Sequence, residues 1–330
     1  MNREAAALGA CIEALEQHVR TGTTVRQLTA AGSQRSALQV LLALHEKQAA
    51  PASAVVSELA LRAGEIAALV AKINHSTLPL REVRQLGEHL ARSPELRDLL
   101  PFYYPLLALA NYRAADYQSA HASMQRAIAG YRIILRSGLT YFIHVLVEQE
   151  LNTLNIHYQQ EHHSLWLEHG SQLMSFCLNG PTVPLFTREE QLIYGTTDPL
   201  DQQASIALVS ERLFRKVFWS IRNNKVREGT ALRVLSGLGQ SIDQEGPGGD
   251  LHRCHRNGLL ALGSLREGRT AEFLAAVSRG IEQAADGSNY LLFFLTYQMM
   301  KWCLGERLPQ ARRMAELTEH FYLHNLRVRI

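Results

Sequence analysis

Apolar residues recur at three- and four-residue intervals along nearly the whole chain, as in Leu8, Ile12, Leu15 and Val19, the period at which one face of a helix returns. Alternation of apolar and polar positions with β-branched residues, the mark of a half-buried strand, is scarce. The pattern predicts an all-α chain, with helices at roughly 3–20, 34–48, 52–60, 64–74, 80–94, 102–114, 117–135, 139–177, 188–194, 201–226, 229–238, 250–266, 270–285, 288–303 and 308–325. Gly170 marks where the long segment 139–177 is expected to divide. Two stretches combine Pro and Gly in ways that stop helices: "LNGPTVPLF" at Leu178–Phe186 and "DQEGPGGD" at Asp243–Asp250. Between them "YGTTDPLDQQ" reads as irregular, with Asp201 the expected cap of the next helix. The expected organisation is an N-terminal helical domain over 1–95 and a second helical domain over 96–330, with an insertion near 178–203.

Within the second domain, "ANYRAADYQSAHASMQRAI" at Ala110–Ile128 places small and large residues around a polar break. Leu107, Ala108 and Tyr112 fall on one helix; Asp116-Tyr117 opens another, whose inner face carries Ala120, Met124, Ala127 and Ile128. Small residues let two antiparallel helices approach closely, so the pattern predicts a helical hairpin. It resembles a tetratricopeptide repeat (TPR): the small-residue pair corresponds to Leu107-Ala108, the Gly-Asp-Tyr turn to Ala115-Asp116-Tyr117, and the second-helix alanines to Ala120 and Ala127. Asn111 stands where the family has tyrosine, and no proline ends the second helix. Two degenerate copies follow, "LLALGSLREGRTAEFLAAVSRGI" with Gly268 at the turn and "YQMMKWCLGERLPQARRMAEL" with Gly305 there. The resemblance implies stacked hairpins with a concave surface that binds a protein or peptide, and puts Leu109, Tyr112 and Arg113 on that surface.

In the N-terminal third, residues 35–73 resemble a helix-turn-helix core, with Leu38, Val40, Leu41 and Leu44 on the supporting helix. Leu59, Ala60 and Leu61 would make the crossing, and Ile66, Leu69, Val70 and Ile73 the inner side of the final helix. That helix opens with Arg62, Gly64 and Glu65, a poor set for reading base edges.

A hydrophobic share of 46% with 20% charged residues describes a chain that buries a substantial core. The net charge of +3 is too small to make the whole chain a nucleic-acid or membrane-surface binder, so any such claim must come from a segment. Cys11, Cys177, Cys254 and Cys303 form no CxxC pair, which fits a reducing compartment. With charges spread through "MNREAAALGACIEALEQHV", the expected location is cytoplasmic and no membrane partner is implied.

Two segments carry candidate chemistry. In the first, Glu150, His157 and Glu161 share a helical face, and "DLHRCH" adds Asp250, His252 and His255. Such residues would suit a carboxylate-bridged metal in a helical oxygenase, but the repeated Glu-x-x-His pairing that site needs is missing. Phosphate-loop and nucleophile-elbow patterns are missing too, and no cofactor is implied. The second segment separates charge from apolar surface at about 100° per residue: Leu213, Phe214, Val217, Phe218 and Ile221 lie on one side, and Arg212, Arg215, Lys216, Trp219 and Arg222 on the other. A tryptophan among four cations suits an acidic protein partner, with nucleic acid as the competing ligand. The leading expectation is therefore a non-enzymatic adaptor, chaperone or regulator that binds a protein or peptide. A DNA-binding regulator with a TPR-like sensor and a metal-dependent oxygenase are the alternatives.

Overall fold

The computed structural model describes residues 2–21, 39, 41–43, 54–75, 79–181, 183–242, 249–284 and 289–321. Among these residues the secondary structure is all helical, with no strand. The helices named here are α1 (Asn2–Thr21), α2 (Ala54–Asn74), α3 (Leu80–Arg92), a 3-10 turn (Pro94–Leu99), α4 (Leu100–Arg113), α5 (Tyr117–Arg136), α6 (Phe142–Gln159) and α7 (His163–Cys177). They continue with α8 (Arg188–Gly195), α9 (Pro199–Arg222), α10 (Glu228–Ser241), α11 (Gly249–Arg266), α12 (Thr270–Glu282), α13 (Asn289–Gly305) and α14 (Ala311–Phe321). No helix is long and apolar enough among the described residues to cross a membrane.

Contacts divide the chain into two compact units, Thr29–His162 and a discontinuous one made of Met1–Leu28 with His163–Ile330. This grouping differs from the expected division at residue 95, because α1 packs on α12 and α14. Its buried stripe of Leu8, Cys11 and Leu15 carries that contact, with the Cys11 thiol donating to the Leu274 carbonyl at 3.1 Å.

In the unit Thr29–His162, α4 and α5 form the predicted hairpin, and α6 packs on α5. Asp116 caps α5 by accepting from the Ser119 amide at 3.1 Å. Ala115 beside it takes φ +60°, the left-handed conformation that favours glycine. Phe102, Tyr131 and Phe142, one from each helix, meet edge-on or tilted at 5.4–6.0 Å. On the other side of α4 lie α2, α3 and the 3-10 turn. Here α2 is one unbroken helix that buries Leu59, Ala63, Ile66, Leu69 and Ile73 along a single stripe. The expected break between 60 and 64 is thus helix interior, Leu61 is 54% exposed, and the crossing on which the helix-turn-helix likeness rested is not formed. Alanine and leucine are strong helix formers, and they carry the helix through Gly64. Leu38, Val40 and Leu44 lie outside the described residues, whereas Leu41 is buried.

The segment 139–177 divides at Gln160–His162, where Glu161 takes φ +62°, and Gly170 lies inside α7. In the discontinuous unit, a capping box between Thr187 and Glu190 starts α8. Asp198, rather than the expected Asp201, caps α9 by accepting from the Leu200 amide at 2.7 Å. Proline at the first helical position explains the earlier start, since it needs no partner for its nitrogen there. Helices α10, α11 and α12 pack in succession, and α13, apolar on nearly every side, is clasped by α9, α11 and α14. The two weaker repeat copies coincide with the hairpins α11–α12 and α13–α14. The left-handed turn residue is Gly268 (φ +71°) in the first, but Arg307 (φ +54°) rather than Gly305 in the second.

Candidate functional site

Within the unit Thr29–His162 a trough of about 580 Å³ runs along α4. Its floor is Leu100, Tyr103, Tyr104, Leu107 and Asn111, residues that return to one side of α4 at helical spacing. One wall is α3, with Arg84, Gly87, Glu88 and Ala91; the other is α5, with Ser119, Ala122, Ser123 and Arg126. The walls stay low because Gly87, Ala91, Ser119, Ala122 and Ser123 are small. Gly87 also lets Tyr103 lie flat: a Cβ there would come 2.2 Å from the phenol oxygen. Burial raises the Tyr103 phenol above its ordinary value, so it stays a neutral donor.

Charge in the trough is unevenly matched. Glu88 pairs with Arg92 at 3.2 Å, and the Asp116 carboxylate is held by the Ser119 hydroxyl and the Ser119 amide, which keep it below the usual carboxylate range. Arg126 sits 5.9 Å over the Tyr104 ring. A ligand lying along α4 would meet Arg84 and Arg126 with the nearby carboxylates already engaged.

The expected surface residues Leu109, Tyr112 and Arg113 lie on the side of α4 turned away from this floor, about half a turn round the helix. The Tyr112 hydroxyl accepts from Gln159 Nε2 at 3.0 Å, and its ring meets Tyr117 edge-on at 5.7 Å. Tyr112 thus ties α4 to α5 and α6, Leu109 is half-buried, and Arg113 is exposed. The trough residues were missed because the repeat register drew attention to 109, 112 and 113. Asn111, where the likeness departs from its usual tyrosine, was the signal that could have found them, since a large ring there would fill the trough.

On α9, Leu213, Phe214, Val217 and Phe218 are buried and Ile221 is half-buried. Arg212 and Arg222 are exposed, and Arg215, Lys216 and Trp219 are half-buried on the opposite side. The Arg222 guanidinium covers the Trp219 ring at 5.2 Å, and Phe218 meets that ring edge-on at 5.6 Å. Burial first, and then the charges of Arg212 and Arg215, bring the Lys216 ammonium down to about 8.

The candidate metal residues are dispersed. Glu150 and His157 are buried in α6, but Glu161 has left the helix and is exposed, so the shared face ends before it. Asp250 is exposed and pairs with Arg253. The His252 ring is 2.8 Å from the Leu178 carbonyl oxygen, while His255 bridges the Leu251 carbonyl (2.9 Å) and the Ser210 hydroxyl (2.6 Å). Burial brings His255 down to about 4, so it is neutral at physiological pH. Among the described residues no group of three or more His, Cys, Asp or Glu side chains is placed to hold a metal ion.

Comparison with protein-family models, with curated proteins and with solved structures finds no match.

Proposed function

We propose that this chain is a non-enzymatic scaffold of TPR-like character that binds a peptide segment of a partner protein in the trough along α4. The observation that carries this reading is the low-walled trough itself, with a mixed aromatic and polar floor flanked by Arg84 and Arg126. Its floor spans eleven residue steps of α4, or about 16 Å, enough for about five residues of an extended peptide. Aromatic rings supply apolar contact area at low conformational cost, and the arginines and Asn111 supply directional hydrogen bonds. The three helical hairpins at the repeat-like segments support the TPR-like element of the proposal.

Selection of peptides from a random library on the purified protein tests it. A family of related sequences should emerge that the native protein binds and that Ala122→Trp, which fills the trough from the α5 wall, does not. Arg126→Glu should weaken the same peptides. Selection of no consensus, or of peptides that bind Ala122→Trp equally well, refutes the proposal.

A further inference from the structure

The solvent side of α9 lies in the discontinuous unit and outside the trough. We infer that it is a second docking site, for an acidic helical segment of a partner protein.

The argument starts from what fixes this helix. Packing against α7 and α13 buries Leu213, Phe214, Val217 and Phe218, so the backbone of α9 is held from behind and its outer side chains form a fixed row. Arg212, Lys216 and Trp219 follow one another at four- and three-residue steps, with Arg215 and Arg222 alongside. From 212 to 222 the row is about 15 Å long.

The two carboxylates of α9 itself are Glu211 and Asp201. Glu211 lies at the edge of the row and accepts from the Tyr290 hydroxyl of α13 at 3.4 Å. Asp201, on the same side of α9, is eleven residues before Arg212, about 16 Å away. Arg212 and Arg215 make no ion pair with the described residues, in contrast to Lys301 on α13, which is paired with Glu228. Burial, and after it the charges of Arg212 and Arg215, depress the Lys216 ammonium, in keeping with the crowding of cations along this row.

Trp219 decides which polyanion fits. Arg222 covers one face of the indole and Phe218 meets the ring in a T-shaped contact, which reduces the ring surface left for a nucleic-acid base to stack on. What the indole offers is a half-buried apolar spot between cations, matched by an aliphatic side chain flanked by glutamates. Acidic residues at three- and four-residue steps on a partner helix would meet Arg212, Arg215 and Lys216 in register.

The test uses the full chain and a synthetic helical peptide of about fifteen residues, long enough to cover the row, with glutamates at helical spacing around a central leucine. Binding should change Trp219 fluorescence, identified by its loss in Trp219→Phe, and should weaken at least tenfold between about 0.05 M and 0.5 M salt. Arg215→Glu combined with Lys216→Glu should also weaken it at least tenfold, as should Arg212→Glu, an exposed substitution that serves if the double variant does not fold. Unchanged affinity in folded variants overturns the inference. So does tighter binding of a single-stranded oligonucleotide or of anionic lipid vesicles to the same residues. Because the trough is tested with Ala122→Trp and this row with α9 variants, the two readings fail separately.

Discussion

Two glycines two residues apart in α10 should respond to alanine with opposite signs. Gly239 is packed so closely on α11 that an added Cβ would come 2.7 Å from the Leu259 Cβ, 2.8 Å from its carbonyl carbon and 2.9 Å from the Leu260 nitrogen. Two of those atoms are backbone within a helix and cannot turn aside, so α10 and α11 must separate. Gly237 is exposed, and its Cβ would meet nothing within 4 Å. Both substitutions gain about 1 kcal/mol of helix propensity, whereas overpacking costs about 1–3 kcal/mol, leaving Gly239→Ala destabilised by up to about 2 kcal/mol and Gly237→Ala stabilised by up to about 1 kcal/mol. For a domain of this size the midpoints should move down by up to about 8 °C and up by up to about 4 °C respectively, read by circular dichroism at 222 nm. If Gly239→Ala is as stable as Gly237→Ala, the close approach of α10 and α11 is wrong, and with it the packing of α10 through α12.

Ala115→Gly should raise stability by about 0.5–1 kcal/mol, because glycine relieves the left-handed backbone at φ +60°, and chemical denaturation would read it. His255 binds its proton in the unfolded chain near 6.5 but in the folded chain only near 4. Its contribution is therefore complete above pH 6.5 and is lost as pH falls towards 4, on the order of 3 kcal/mol in all; the slope of stability against pH in that window should flatten in His255→Gln. The four cysteines are buried, and burial pushes the Cys11 and Cys177 thiols up to about 12. A thiol reagent should label them only after denaturation, and prompt labelling of native protein would contradict their burial. Arg215→Glu with Lys216→Glu should leave the thermal midpoint within about 2 °C, because half-exposed cations contribute little to stability, and a large fall would mean that the row is structural.

Most of the helical framework was legible because it rests on local information. The stripe Leu8, Cys11, Leu15, the hairpin turn at Ala115-Asp116 and the two sides of α9 all follow from spacing within one helix. Boundaries that depend on capping were read less well: Asp198 competes with Asp201 for the start of α9, and only the proline after it tips the choice. The break at Glu161 left no sequence mark, since a non-glycine residue occupies the left-handed turn. Long-range grouping was beyond reach as well. Nothing in α1 announces that its partners are α12 and α14, and nothing in Arg84 or Arg126 announces that α4 brings them to the two sides of one trough. The small residues Gly87, Ala91, Ala122 and Ser123 were readable as helix positions, but their joint effect as low walls exists only once three helices are assembled.

The pairing of α1 with α12 has a consequence for how the protein is made. The Cys11–Leu274 contact joins residues 263 positions apart. At a ribosomal rate of about 5–20 residues per second, α1 emerges about 13–53 s before the residue it is to meet. During that interval Leu8, Cys11 and Leu15 have no native cover, and the whole of residues 29–162 is synthesised before α12 appears. Nascent chains should therefore carry an uncovered apolar helix from the synthesis of α1 until that of α12, a binding site for holding chaperones that closes only when α12 has left the exit tunnel.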